Sequence, residues 1–217
     1  MAISADLEAQ LLAALKEAGR DVAHDVAHDA GHVRRVWKNA VEIATGEGVE
    51  PTPVLMAAAY LHDIVSLPKD HPDRAKSSVL ASRRAWTLVR EMGLPREDCD
   101  AVAHAVAAHS FSGGIEPQTV EAKILRDADR LEALGAIGIA RVFAVSGGLN
   151  RALWDGDDPF AEGRSLDDTR FALDHFKAKL LGLAVGMTTR TGRNLAEART
   201  ALMHRYLGDL AVELRRD

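Results

Sequence analysis

Several things are missing from this chain of 217 residues, and each absence narrows the reading. It has a single cysteine, Cys99, so no internal disulfide framework is available and a reducing compartment is expected. It has no excess of positive charge: 27 Lys and Arg stand against 32 Asp and Glu, a net charge of −5, which is a poor match to a polyanion. No apolar run approaches the roughly 18 residues that cross a bilayer. The first residues, 1–6, show no basic stretch followed by an apolar core, so no signal peptide is expected. These absences predict a cytoplasmic protein without membrane or nucleic-acid-polymer partners. No linker-like interval and no repeat of 20–50 residues is visible, which predicts one domain over 1–217, with a core over about 20–145 and C-terminal helices over about 167–214 packing on it.

What is present is helix. The 37 alanines and the near absence of β-branched alternation predict an all-α, multi-helix bundle. Helices are expected over about 7–18, 29–45, 53–67, 73–92, 96–110, 120–145, 167–183 and 190–214, with a long loop near 146–165. Thr52 followed by Pro53 reads as an N-cap with proline at the first helical position.

Three helices carry residues that point to chemistry. The segment 53–65 is apolar on every side except for His62 and Asp63 near its end, so it should be buried all round. Burying a carboxylate costs on the order of several kcal/mol unless it is paired or holds a metal; the alternative is a hydrogen-bonded core histidine with Asp63 reaching solvent. His32 lies on the same helical stripe as Val36 and Ala40. It is the third of His24, His28 and His32 at four-residue spacing, but Asp25 and Asp29 look like caps and Gly31 weakens the early turn, so His28 is expected to flank the site. In Arg126-Asp127-Ala128-Asp129-Arg130 the two carboxylates are about 200° apart on the helix. One of them faces a site and the other pairs with Arg126, Arg130 or solvent. Two histidines with two carboxylates suit Mn, Fe, Co, Ni or Zn with positions left open, and do not suit a closed structural zinc site.

The ordered set His32-x-x-Arg35-Val36, His62-Asp63 and Asp127-Ala-Asp129-Arg-Leu resembles the HD-domain superfamily of metal-dependent phosphohydrolases, most of all its small stand-alone bacterial members. The resemblance runs from about residue 20 to the end of the chain. It includes His62-Asp-Ile-Val-Ser-Leu-Pro-Lys69, His109-Ser110-Phe111-Ser112, His175-Phe-Lys-Ala-Lys-Leu-Leu and Met187-Thr-Thr-Arg-Thr-Gly-Arg. It implies an HD-domain bundle and one divalent ion held by His32, His62, Asp63 and one of Asp127 and Asp129. Relatives place the ligand directly before the Arg-Leu pair, which favours Asp129 and leaves Asp127, with His28, behind the ligands. Manganese is the first choice of ion; Mg, Fe, Co, Ni and Zn are alternatives.

The implied reaction is cleavage of a phosphoester or phosphoanhydride in a small phosphorylated metabolite, a nucleotide or nucleoside triphosphate first, by a metal-bound hydroxide. Phosphoryl transfer needs positioned positive charge. Arg35, three residues from His32, and Lys69, in the loop after the doublet, are expected on the phosphate. Val102, Val106 and His109 fall at i, i+4 and i+7, so His109 is expected to point inward, away from the face that carries His104, and to bind phosphate or assist the leaving group. Relatives with a Glu three residues after the doublet use it as acid or base; here that position is Ser66, so Asp70, His71 and Asp73 are the nearby groups for proton transfer. A homodimer is compatible with this reading. The competing reading is an HD-fold ligand-binding or regulatory module without turnover, and a narrower one is a di-iron oxygenase. Trp37, Trp86 and Cys99 read as packing.

Overall fold

The computed structural model describes residues 5–19, 30–65, 67, 71, 73–110 and 113–214. Helix α3, Pro53–Leu61, is buried at every position, as an apolar sequence on all faces requires. The Thr52 hydroxyl accepts the Leu55 N–H at 3.1 Å, so the expected cap forms. Around α3 lie α1 (Ala5–Glu17), α2 (Ala30–Gly46), α4 (Ser77–Glu91) and α5 (Arg96–Ala108). Leu7, Leu11 and Leu15 bury one face of α1, and the Tyr60 hydroxyl donates to Glu8. Burying three leucines in this way contributes roughly 5–9 kcal/mol before chain entropy. Ala81 and Ala85 of α4 and Ala105 of α5 are fully buried, small enough for two packed helices to approach closely. Gly93, at φ +90, makes the turn between these two helices.

Two compact units are present: Met1–Asp129 with Thr188–Gly192, and Arg130–Met187 with Arg193–Asp217. The first holds α1 to α5 and most of α6 (Val120–Leu131). The second holds α7 (Gly135–Gly148), α8 (Asp174–Ala178) and the body of α9 (Arg190–Leu214). Within it Phe143, Phe176 and Tyr206 pack with ring centroids 6.1 to 6.3 Å apart. Among the described residues there is no strand, only an isolated bridge between Ala152 and Phe171.

The all-α expectation holds, and five boundaries differ from it. The helix expected over 53–67 ends at Leu61, and the chain turns from His62 onward. The helix expected over 120–145 is two helices. It stops at Leu131, and Gly135 takes φ +70, a conformation that a residue with a Cβ rarely adopts. The long loop begins after Gly148 and runs to 173. The helix expected over 167–183 is a loop, the short α8 and a 3-10 helix at Leu180–Gly186. Arg164 holds the loop open there: it forms a two-pronged pair with Asp174 at 2.6 and 2.8 Å, while the same carboxylate accepts the Asp167 N–H at 2.7 Å. Finally, the helix expected from 73 starts with a 3-10 turn, Arg74–Lys76, before α4. Among the described residues no single helix is long and apolar enough to cross a membrane.

Candidate metal centre

Helix ends present the central side chains. His62 follows the last residue of α3 and His109 the last residue of α5, both in helical conformation. The final carbonyls of a helix lack intrahelical donors. Each histidine supplies one: His62 Nδ1–H donates to Ala59 O at 2.8 Å, and His109 Nδ1–H donates to Val106 O at 2.6 Å. A carbonyl can only accept, so Nδ1 carries a proton in both rings, and in the neutral ring Nε2 is the atom left to accept. The two rings stand nearly perpendicular, with centroids 5.0 Å apart.

From α2, His32 brings its Nε2 to 3.2 Å from His62 Nε2. From α6, Asp129 Oδ1 lies 3.5 Å from His32 Nε2 and 3.7 Å from His62 Nε2. Asp63 Oδ2 is 3.6 Å from His62 Nε2, and Asp63 Oδ1 is 3.7 Å from His109 Nε2. His32 and His62 are fully buried, while Asp129 and Asp63 are 30% and 24% exposed. Ligands about 2.1 Å from one ion stand roughly 3.0 Å apart at octahedral and 3.4 Å apart at tetrahedral angles. The observed separations lie at or slightly beyond these values. His32, His62 and Asp129 form one group that could hold a metal ion, and His62, Asp63 and His109 form another. Because His62 has only its Nε2 to offer, a single ion uses it. The donors are the mixed nitrogen and oxygen set that a divalent cation takes, so the residues fit the group.

Burial pushes the Asp129 carboxyl up, but the imidazoles of His62, His32 and His109 outweigh it and hold the group below its ordinary value. Burial, reinforced by His62, pushes His109 down, while Asp63 and Asp129 pull the other way.

The two carboxylates of α6 have separate fates. Asp129 faces the histidines. Asp127 was expected to pair with Arg126, Arg130 or solvent, and it does not: it is fully buried and accepts from the N–H groups and hydroxyls of Thr188 and Thr189 at 2.7 to 3.0 Å. These threonines belong to a stretch quoted in the family resemblance, yet nothing local in them announces this contact. Asn39, also given no role in the sequence, donates to Ala128 O at 3.1 Å.

Arg35 is half-buried on α2, one turn from His32. His104 lies apart from the cluster and accepts the Gln118 N–H at 2.9 Å. Asp73 pairs with Lys76 at 2.6 Å, and His71 Nδ1 accepts the Asp73 N–H at 3.0 Å. His28, Ser66, Lys69 and Asp70 lie outside the described residues.

A model of the HD domain family matches residues 29–134. The Bacillus subtilis protein YpgQ is 32% identical over 187 residues, 84% of this chain and 82% of YpgQ. The crystal structure of YpgQ in complex with ADP superposes with a TM-score of 0.72 at 30% identity, covering 97% of this chain and 98% of that one. An HD-superfamily hydrolase from Bacillus thuringiensis reaches a TM-score of 0.74 at 28% identity over 98% of each chain. With His32, His62-Asp63 and Asp129 converging from α2, α3 and α6, the chain belongs to the HD-domain family and has the fold of its small stand-alone bacterial hydrolases.

Proposed function

We propose that this chain is a metal-dependent phosphohydrolase that cleaves a phosphoester or phosphoanhydride in a small phosphorylated metabolite, with a nucleotide or nucleoside triphosphate as the first choice. One observation carries the reading: two imidazole nitrogens and a carboxylate oxygen converge within 3.2 to 3.7 Å of one another in a mostly buried setting. A mixed set of nitrogen and oxygen donors gathered in this way suits a divalent cation. His32, His62, Asp63 and Asp129 would hold one divalent ion, manganese first. When bound, it would polarise a phosphoryl oxygen and lower the pKa of water toward neutrality.

The remaining steps fall to the chain's own groups. Val106 O fixes the His109 ring, so Nε2 is the only ring atom it can turn toward substrate. There it holds or moves a proton between water, phosphate and leaving group. Arg35 is assigned to the phosphate from the side of α2, and Lys69 from the loop after the doublet. Asp70, in that same loop, is assigned to proton transfer in place of the Glu that Ser66 lacks. His28 and Asp127 stay off the ion. A net charge of −5 and the complex of YpgQ with ADP both support a small nucleotide over a nucleic-acid polymer.

The test is a panel of nucleotides and sugar phosphates incubated with Mn, Mg, Co or Ni. Metal-dependent release of phosphate or pyrophosphate from nucleotides, abolished by chelator, is the expected result. No turnover across the panel, or turnover unaffected by chelator, contradicts the proposal, as would tight, salt-sensitive binding of duplex DNA.

A further inference from the structure

The segment Thr188–Gly192 is remote in sequence from α1 to α6 but belongs to their unit. We propose that it is a positioning clamp, which grips Asp127 on α6 and the end of α2 and so keeps Asp129 turned toward His32 and His62. The inference rests on the metal reading of that cluster.

Asp127 is a buried carboxylate made tolerable by donors from one short stretch of chain. Thr189 supplies its N–H and its hydroxyl, each 2.7 Å from Oδ2. Thr188 supplies its N–H at 2.9 Å and its hydroxyl at 3.0 Å from Oδ1. The Thr188 hydroxyl has one hydrogen and a second acceptor in reach, Lys123 O at 3.2 Å, and the carboxylate is the stronger of the two. These threonines immediately precede α9, whose first amides carry partial positive charge. Thr189 Oγ1 also accepts the Gly192 N–H at 3.0 Å. A Cβ on Gly192 would lie 2.7 Å from Asp127 Oδ2 and 2.6 Å from Thr189 Oγ1, so glycine is what lets the carboxylate seat over this helix start.

The same stretch holds α2, the helix of His32. Thr191 N–H donates to Glu47 Oε1 at 2.7 Å, and Arg190 donates to Gly46 O at 3.1 Å. A Cβ on Gly46 would meet Thr191 Cγ2 at 2.5 Å. Between these ties, Asn39 of α2 holds Ala128 O of α6. Asp127 and Asp129 project from α6 about 200° apart, so holding the first sets the direction of the second. Ligand constellations tolerate displacements of only about 0.5 Å. Asp127, Thr188 and Thr189 are therefore positioning residues: none touches the donor cluster.

The experiment compares Mn(II) affinity and the visible spectrum of the Co(II)-loaded full chain in wild type, Thr189→Val, Thr189→Ser and Asp127→Asn, alongside thermal unfolding of the metal-free proteins. Thr189→Val and Asp127→Asn should bind Mn(II) about 10- to 100-fold more weakly, as when support behind metal ligands is removed. Their Co(II) bands should shift while cooperative unfolding of the metal-free chain persists. Thr189→Ser keeps the hydroxyl and should restore wild-type affinity and spectrum. Wild-type affinity and spectrum in Thr189→Val overturn the clamp alone. A wild-type chain that binds neither ion overturns the clamp and the metal reading together. Thr188→Val, at an exposed position, repeats the comparison with the same expected direction if Thr189→Val does not fold.

Discussion

Two buried polar clusters in this molecule handle charge in opposite ways. In the unit of α7 and α8, Asp174 is almost fully buried, and its oxygens receive two guanidinium N–H groups of Arg164 and the Asp167 N–H. Arg164 also lies over the Phe171 ring at 4.6 Å. Donor meets acceptor throughout, and the cluster closes a loop. In the unit of α2, α3 and α6, by contrast, ring nitrogens and a carboxylate converge with no Lys or Arg among them: His32 Nε2, His62 Nε2 and Asp129 Oδ1 lie within 3.2 to 3.7 Å of one another. The first arrangement is complete as protein, whereas the second is a group that could hold a metal ion. Burial of charge alone does not mark a functional site; the sign of what faces the buried group does.

The largest effect that would sharpen this contrast is on stability. Asp174→Ala leaves a partly buried guanidinium without its carboxylate and should cost about 3 kcal/mol, with metal content unchanged. Hydrogen bonding from Arg164 holds the Asp174 carboxyl below its ordinary value. The stability it contributes is complete above the unfolded-state pKa of about 3.9 and is lost as pH falls through the folded value. Acid titration by circular dichroism should therefore show a steeper loss below about pH 4 in wild type than in Asp174→Asn. Equal stability of Asp174→Ala and wild type would break the contrast from this side.

A somewhat smaller effect is expected at Lys69. Its replacement by Ala should lower turnover about 10²-fold, as for a preorganised charge on a phosphoryl group, and leave metal content unchanged. Nearly full activity with metal retained moves the phosphate contact to Arg35 or His109.

The smallest expected change is the most telling. In metal-free protein Asp129 is 30% exposed. Asp129→Asn should then alter the unfolding free energy by less than about 1 kcal/mol. A loss of about 3 kcal/mol or more would place this cluster beside Asp174 as a structural one.

Much of this was legible in the sequence, and the parts that were not have physical reasons. A nine-residue helix with no polar face can only be central, so His62 and Asp63 at its end had to be partnered. His109 was legible through its spacing from Val102 and Val106, and all three are buried. The choice between Asp127 and Asp129 was open, because a helical wheel separates two residues without saying which neighbour each meets. The partner that captures Asp127 lies 61 and 62 residues further on, in threonines with no local signature for the role. The break before α7 was missed because apolar periodicity continues across it, while the turn is made by backbone geometry, an extended Leu134 and a positive φ at Gly135. Likewise α8 is short because Arg164, ten residues upstream, claims Asp174 for the loop, a pairing that helical periodicity does not encode.

The central claim is that the converging acceptors of α2, α3 and α6 are a metal site. Elemental analysis of the purified chain tests it most directly, wild type against Asp63→Ala, after equilibration with manganese and removal of free ion. Close to one ion per wild-type chain and markedly less in Asp63→Ala is the predicted result; equal metal content in the two proteins would contradict it.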